Sequence, residues 1–406
     1  MKRIGVIGGG QLAWMMGDAA KKLGVELVVQ TPSANDPAVA IAKLQHKNEY
    51  SSRRLGTMSS FFVQARVDDA VATAELAKKS DVITFENEFV DLEALSILAE
   101  RGVCFRPRLE ALAPLLDKYH QRCYLRDLGL PVPQFVAFSA ELFANNDANL
   151  SQFRFPVVLK ARRHGYDGQG TYIIRDIEQL RKTLATIDKT RFKINNGEFL
   201  LEEFIPFERE LAVIAARSVN GEVVIYPIVE TQQEQQVCRR AIAPAQISQP
   251  VASAIKNIAE TLLTSLDVVG VFGIELFLTT DDKILVNEIA PRTHNSGHFS
   301  LDACQTSQFE QHLRAICGLP LGNPALICPG AVMVNLLGYE TSQSDYYQKR
   351  EALEEIPDSH LHWYGKTESR PGRKLGHVTV LLNSASRDNA LVVAQKVESI
   401  WYSEQS

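Results

Sequence analysis

A chain of 406 residues exceeds what one hydrophobic core ordinarily fills, so two or three packed units are expected. Its 45% hydrophobic and 22% charged residues exclude a disordered or fibrous chain, and a net charge of −5 excludes a general nucleic-acid binder, which needs a basic surface. No run of 18 apolar residues is present, which excludes a membrane-spanning helix; six scattered cysteines without a C-x-x-C pair read as reduced thiols of a cytoplasmic protein.

Residues 3–7 (RIGVI) predict a first strand rather than a signal peptide. Gly8-Gly9-Gly10 follows, then helical spacing from Leu12 to Leu23 and a β-branched run at Val25–Val29, which together make a βαβ unit. Strand-like runs at Val82–Phe85 and Val103–Phe105 flank a helical stretch at Asp91–Glu100, so residues 1–110 predict a small doubly wound α/β domain. A helix at Leu115–Leu128 is stopped by Gly129 and the Pro131/Pro133 pair. Strands at Phe155–Ala161, Thr171–Ile174 and Phe199–Glu203, with a helix at Ile177–Ile187, predict an α+β lobe. Strands at Glu210–Ala216, Val223–Pro227, Val271–Leu278 and Ile284–Ala290 surround a long helix at Val251–Leu266. From about Pro324 come a strand at Ala331–Leu337, a polar stretch at Tyr339–Glu355 and the segment Leu361–Leu382. The Asn-rich segments near Asn145 and Asn195 read as surface loops.

Four constellations carry chemistry. The run Gly8–Ala13 fits G-x-G-x-x-A between strand and helix, but the second strand ends at Gln30 rather than at the acid an NAD site wants. What remains is either a tight turn or a helix-start site for a phosphate. Lys160 ends an apolar strand, so its amine either reaches water or meets an anion. The loop after it, Arg162 to Thr171, holds three glycines in a polar turn that could fold its N–H groups over a polyphosphate, or be an ordinary hairpin.

Glu275 and Glu288 form the third. A hairpin turning at Asp281-Asp282 sets 280 opposite 283, 277 opposite 286 and 275 opposite 288. Like charges so placed repel, and one or two Mg²⁺ ions bridging them to nucleotide phosphates would compensate, unless both glutamates face solvent. Directly beyond lie Arg292, His294, Asn295 and Ser296, a dense donor set. The fourth, His362 to Lys374, is a basic loop that is either a solvated face or a holder of a phosphorylated substrate.

In this order the features resemble the ATP-grasp superfamily. Within it, GGGQL, RRxGYDGxG, NEIAPRxHNSGH and HWYGKxxxRPGRKxGH look like the 5-(carboxyamino)imidazole ribonucleotide synthase family, over Gly8 to about His377. The resemblance implies a preATP-grasp α/β domain (1–110), an ATP-grasp region (111–320, with a small lobe at 118–205 and a large lobe at 206–320) and a C-terminal domain (321–406) completing the large lobe. It implies a ligase using ATP, Mg²⁺ and bicarbonate to carboxylate aminoimidazole ribonucleotide, usually as a homodimer, with possible coupling to the mutase that uses the product.

By motif position, ATP would meet Lys118, Lys160, Gly165, Tyr166, Asp167, Gly168, Gln169, Gly170, Thr171, Glu202, Glu203, Phe204, Ile205, Glu210 and Asn287, with Glu275 and Glu288 as metal ligands. Arg292, His294 and Asn295 would be catalytic, while Gln11, Leu12, Glu86, Tyr166, Asp167, Lys366 and Arg373 would hold the ribonucleotide. The chain departs from the family pattern at Thr231–Gln235, where many relatives carry a histidine, and at Glu86-Asn87-Glu88, which leaves open which glutamate meets the substrate. A formate-using glycinamide ribonucleotide transformylase or a biotin carboxylase is the alternative within enzymes, against which RPGRKxGH speaks. A nucleotide-binding regulator without turnover is the alternative outside them.

Overall fold

The computed structural model describes residues 2–47, 61–144, 153–163, 165, 168–187 and 198–402. The Asn-rich segments near Asn145 and Asn195 lie outside these residues.

Strands β1 (Arg3–Ile7), β2 (Glu26–Thr31), β3 (Phe62–Gln64) and β4 (Val82–Phe85) form a parallel sheet in the order β3-β2-β1-β4. Parallel pairing needs helical crossovers, and the buried face of helix Gln11–Leu23 supplies the first, packing Leu12, Met15, Met16 and Ala20 against Ile4 and Val6. The run Val103–Phe105 does not become a strand and makes a single bridge, Ile83 to Phe105. The reason is local: the chain reaches Pro107 two residues later, and proline has no N–H to continue a ladder. Gln30 is buried, its amide donating to the carbonyls of Arg66 and Asp69 while Thr73 donates back to it, so the end of β2 is committed to the core.

Strands β5 (Phe135–Ser139), β6 (Val157–Ala161), β7 (Thr171–Ile174) and β8 (Glu198–Glu203) form an antiparallel sheet ordered β5-β8-β6-β7. The large sheet has nine strands: β9 (Phe207–Arg217), β10 (Val223–Ile225), β11 (Val229–Glu234), β12 (Val237–Ala243), β13 (Gly270–Thr279), β14 (Ile284–Ala290), β15 (Gly330–Leu337), β16 (Ser359–Trp363) and β17 (Lys374–Leu382). Its order is β14-β13-β9-β11-β12-β15-β17-β16, with β10 on β9. Helix Gln249–Ser265, capped by Ser248, lays Ile255, Ile258, Leu262 and Leu263 on one end; helix Arg387–Trp401 covers β15 and β17 at the other.

Helix Gln308–Cys317 ties the large sheet to the first domain. Phe309, Leu313 and Ile316 join the core of β1 and β2, and His312 bridges the two sheets. Its Nδ1 accepts from the Val271 N–H at 3.1 Å, so the neutral ring carries its proton on Nε2 and donates to Thr84 at 2.8 Å. Burial pushes the pKa of this imidazole down to about 4, which keeps that tautomer neutral.

The β13–β14 hairpin corrects the register read from sequence. Phe277 faces Leu285 and Leu276 faces Val286, one residue off the expected pairing, yet Glu275 does face Glu288. A bulge between Glu275 and Leu276 on one strand, with Asn287 as the extra residue on the other, restores the frame.

That bulge is held by a buried charge cluster where helix Lys118–Asp127, β8 and β14 meet. Arg122 pairs with one oxygen of Glu202 and donates to the carbonyl of Asn287, while Lys160 pairs with the other oxygen at 2.6 Å. All three ionised side chains are buried. For Glu202 burial opposes ionisation, but Arg122 and Lys160 outweigh it and hold the carboxyl down at about 2 against its usual 4.5. Its contribution to stability is therefore complete above about pH 4.5 and lost as pH falls toward about 2. Glu202→Gln strands two buried cations and is expected to cost roughly 3–5 kcal/mol in urea unfolding at pH 7. The gap to wild type should narrow below its usual 4.5; a constant gap would show that the carboxylate charge is not the stabilising element.

Candidate active site

Glu203 ends β8 and Phe207 begins β9, so the segment Glu203-Phe204-Ile205 leads directly from the small sheet into the large one. The Glu203 carboxylate accepts from the Gln134 N–H at 2.8 Å, and Ile205 is buried. Lys160 stands opposite Leu200 on β8 and Thr171 on β7. Its amine meets Glu202 and, at 3.1 Å, Asn287 Oδ1, so the anion expected for it is first an internal one. Burial lowers its pKa; Glu202 works against that, while Arg122 and Lys118 add to it. A further anion beside Lys160 would be stabilised by this excess of cations.

The glutamates line the other side of the same space. Lys118 pairs with Glu288 at 2.5 Å, whereas Glu275 meets Asn287 Nδ2 at 3.4 Å and His294 Nε2 at 3.3 Å. Burial, then the carboxylates of Glu288 and Glu210, raise the pKa of Glu275. Burial acts on Glu288 as well, but Lys118, with Lys160 and Arg122, outweighs it and the pKa lies below the usual value. Glu210, on β9 opposite Phe277, is also raised by burial, partly offset by a bond to Gln233 and by Lys160. Although hemmed in, Glu275 and Glu288 keep 30% and 42% of their side-chain surface open. Two accessible carboxylates, one lacking a lysine partner, are a donor set that fits Mg²⁺.

The glycine loop crosses to the large sheet. Gly168 has a φ of 73°, and a Cβ on it would lie 2.3 Å from Cβ of Gln236 in the β11–β12 turn. Only glycine permits both the backbone conformation and this approach. Gly170 accepts from the Ala161 N–H, Thr171 donates to Gly168, and Gly165 lies near Gln169 and Lys118; Tyr166 and Asp167 fall outside the described residues. The two arginines that open the loop turn back to the helix before it. Arg162 and Arg163 both pair with Asp117, the N-cap of helix Lys118–Asp127, and Arg162 also meets Glu198. They fix the start of the helix that presents Lys118.

Beyond β14 the chain turns through Arg292, His294 and Asn295. Arg292 pairs with Glu88 at 2.9 Å. His294 Nδ1 accepts from the Ser296 N–H at 3.4 Å, which leaves the proton of the neutral ring on Nε2, facing Glu275. The backbone of His294 is clamped by Gln308, whose amide accepts from the N–H at 2.9 Å and donates to the carbonyl at 2.7 Å. Asn295 is buried and exchanges two amide hydrogen bonds with Asn335 of β15. Sequence reading missed Gln308 and Asn335, as it missed Arg122, because none lies in a recognisable motif.

At the first domain, the sequence leaves the start of helix Gln11–Leu23 as either a tight turn or a phosphate site. Glu86 fills it, accepting from the N–H groups of Gly10 at 2.6 Å, Leu12 at 3.0 Å and Ala13 at 3.5 Å. Gly8, at φ 119°, lets Glu86 approach, since a Cβ there would lie 2.5 Å from its carboxylate. Burial raises the Glu86 pKa and the three amides pull it back. Lys366 donates to Gln11 Oε1 at 2.8 Å, so these two candidates do meet; Arg373 instead donates to Glu368 within its own loop.

With this geometry in place, comparisons with known proteins are direct. The ribonucleotide synthetase preATP-grasp domain family matches residues 1–114, the ATP-grasp domain family residues 123–309, and the phosphoribosylaminoimidazole carboxylase C-terminal domain family residues 331–390. An N5-carboxyaminoimidazole ribonucleotide synthase of Synechococcus elongatus is 53% identical over 405 residues, covering 99% of this chain and 96% of the relative. The Bacillus subtilis enzyme of that name is 35% identical, covering 93% and 91%. The crystal structure of the Thermotoga maritima synthetase superposes with a TM-score of 0.81 at 38% identity over 98% of each chain. That of the Aspergillus clavatus synthase, in complex with ADP and 5-aminoimidazole ribonucleotide, gives 0.84 at 29% identity over 99% of each. Three matched domains in order and end-to-end similarity place the chain in the N5-carboxyaminoimidazole ribonucleotide synthase family of ATP-grasp ligases.

Proposed function

We propose that the chain carboxylates 5-aminoimidazole ribonucleotide with bicarbonate at the expense of ATP, giving N5-carboxyaminoimidazole ribonucleotide, ADP and phosphate in purine biosynthesis. The observation that carries this reading is the continuity of β14 with the loop after it. Asn287 and Glu288 face the lysines on one side, and Arg292, His294 and Asn295 follow within seven residues on the other. A nucleotide held between Lys160, Lys118 and the Glu203–Ile205 segment would thus present its terminal phosphate to an acceptor beside His294.

In this mechanism a bicarbonate oxygen attacks the terminal phosphorus of ATP in line, forming carboxyphosphate and releasing ADP. The exocyclic amine then attacks the carboxyl carbon, phosphate leaves, and the amine gives up a proton. Positioning and neutralisation of charge carry most of the catalysis. Glu275 and Glu288 would hold Mg²⁺, whose chemistry is to neutralise the phosphate oxygens. Lys160 and Lys118 add fixed positive charge, Arg292 takes the anionic acceptor, and the Nε2 proton of His294 orients it. Lys366 with Gln11 would receive the ribonucleotide phosphate. Arg373 would join them by exchanging the backbone carbonyl of Glu368 for the phosphate. The glycine loop would close over the nucleotide and keep water from the labile intermediate. Homodimeric assembly and transfer of the product to the mutase that consumes it complete the reading, on the strength of the family resemblance. Among the described residues no helix is long and apolar enough to cross a membrane.

ADP release should require bicarbonate and 5-aminoimidazole ribonucleotide together, and formate should not replace bicarbonate; ADP formed at full rate without either would overturn the assignment. Glu288→Gln should lower ADP formation by about 10³-fold or more while the thermal unfolding profile stays cooperative. Wild-type turnover in that variant would remove the metal role. Lys366→Met should raise the KM for the ribonucleotide by about tenfold, the worth of one charge-assisted contact, and leave the KM for ATP within about twofold. An equal rise in both would place Lys366 outside the acceptor site.

A further inference from the structure

The amide of Asn295 has an internal reference that fixes its orientation. Asn335 lies on β15, wholly buried, opposite His377 of β17. Its Nδ2 donates to the backbone carbonyl of Cys238 at 2.9 Å and to Asn295 Oδ1 at 2.8 Å, and its Oδ1 accepts from Asn295 Nδ2 at 2.9 Å. A backbone carbonyl only accepts, so the Cys238 contact determines which end of the Asn335 amide is nitrogen. The reciprocal pair then determines the Asn295 amide as well. An asparagine amide has two N–H groups and two lone pairs; the pair uses one of each. One N–H and one lone pair of Asn295 remain, at a residue next to the His294 that meets Glu275.

We propose that Asn335 is a positioning residue of the reaction: the large sheet's β15 sets the orientation of the Asn295 amide that receives the carboxyl-bearing substrate. This rests on the catalytic role that the family resemblance gives Asn295. No other residue type of this size does the same. Aspartate would accept from Asn295 Nδ2 but would turn an oxygen toward both the Cys238 carbonyl and Asn295 Oδ1, and leucine would leave all three groups unmatched. A freed Asn295 amide can flip, which exchanges donor for acceptor at the substrate. Loss of orientation at a reacting group typically costs one to two orders of magnitude in rate.

The test is a double-mutant cycle read in carboxylation kinetics, with wild type, Asn295→Ala, Asn335→Leu and the double variant, each checked by thermal unfolding. Asn335→Leu is expected to lower kcat/KM for bicarbonate by about tenfold or more while the KM for ATP stays within about twofold. In the Asn295→Ala background the same substitution should cost less than about twofold, because nothing remains to orient. Asn335→Ser, which is smaller and keeps one donor and acceptor, gives the same readout if the leucine variant does not fold. Equal losses in both backgrounds would make Asn335 merely structural and overturn the proposal. If Asn295→Ala is impaired while the Asn335 variants are fully active, positioning fails and the reading of Asn295 survives. If Asn295→Ala is itself fully active, the reading of Asn295 fails and the proposal with it.

Discussion

Glu202 lies between the guanidinium of Arg122 and the ammonium of Lys160, all three buried, and on this contact the small sheet, the helix after the first domain and the β13–β14 hairpin converge. Buried charges are costly to assemble and more costly to separate, so the three elements hold one relative placement. Arg122 also takes the carbonyl of Asn287, and Lys160 its side chain, which ties the hairpin bulge to the same point.

The bulge explains why two carboxylates that repel one another stand face to face. Without the extra residue at Asn287, the frame that pairs Phe277 with Leu285 would turn residue 288 to the other side of the strand. With it, Glu288 meets Lys118 and Glu275 while Val286 and Ile289 stay in the core. Structural and chemical demands are thus met by one irregularity. The burial that makes Glu275 hard to ionise is also what would make a divalent cation there effective.

The loop after β14 is braced from behind by several elements rather than by one. Gln308 clamps the His294 backbone, Asn335 pairs with Asn295, and Glu88 holds Arg292. These supports come from a helix, from the large sheet and from the first domain. Glu86 and Glu88, which the sequence left equivalent, have different partners: Glu86 closes the start of the first helix and Glu88 pairs with Arg292 of the loop after β14. Arg162 and Arg163, which open the glycine loop, are likewise held by a distant partner, Asp117.

By itself the sequence determined the features carried by short spacing: the βαβ start, the strand bearing Lys160, the glycine loop, and the opposition of Glu275 and Glu288, whose two strands are joined by one tight turn. Motif content also determined the family. What only the tertiary structure decided are the partners supplied from afar. Arg122 reaches Glu202 across 80 positions, and Lys366 reaches Gln11 across 355. Strand β11 went unread because Thr231, Gln232 and Gln233 show no apolar alternation. Helix Gln308–Cys317 is different: Phe309, Leu313 and Ile316 recur at helical spacing and were legible, whereas the burial of its polar face against the first domain was not. The occupation of the first helix start by Glu86 is of the same kind: glycines at a helix N-terminus announce an anion, and only the folded chain shows whose anion it is.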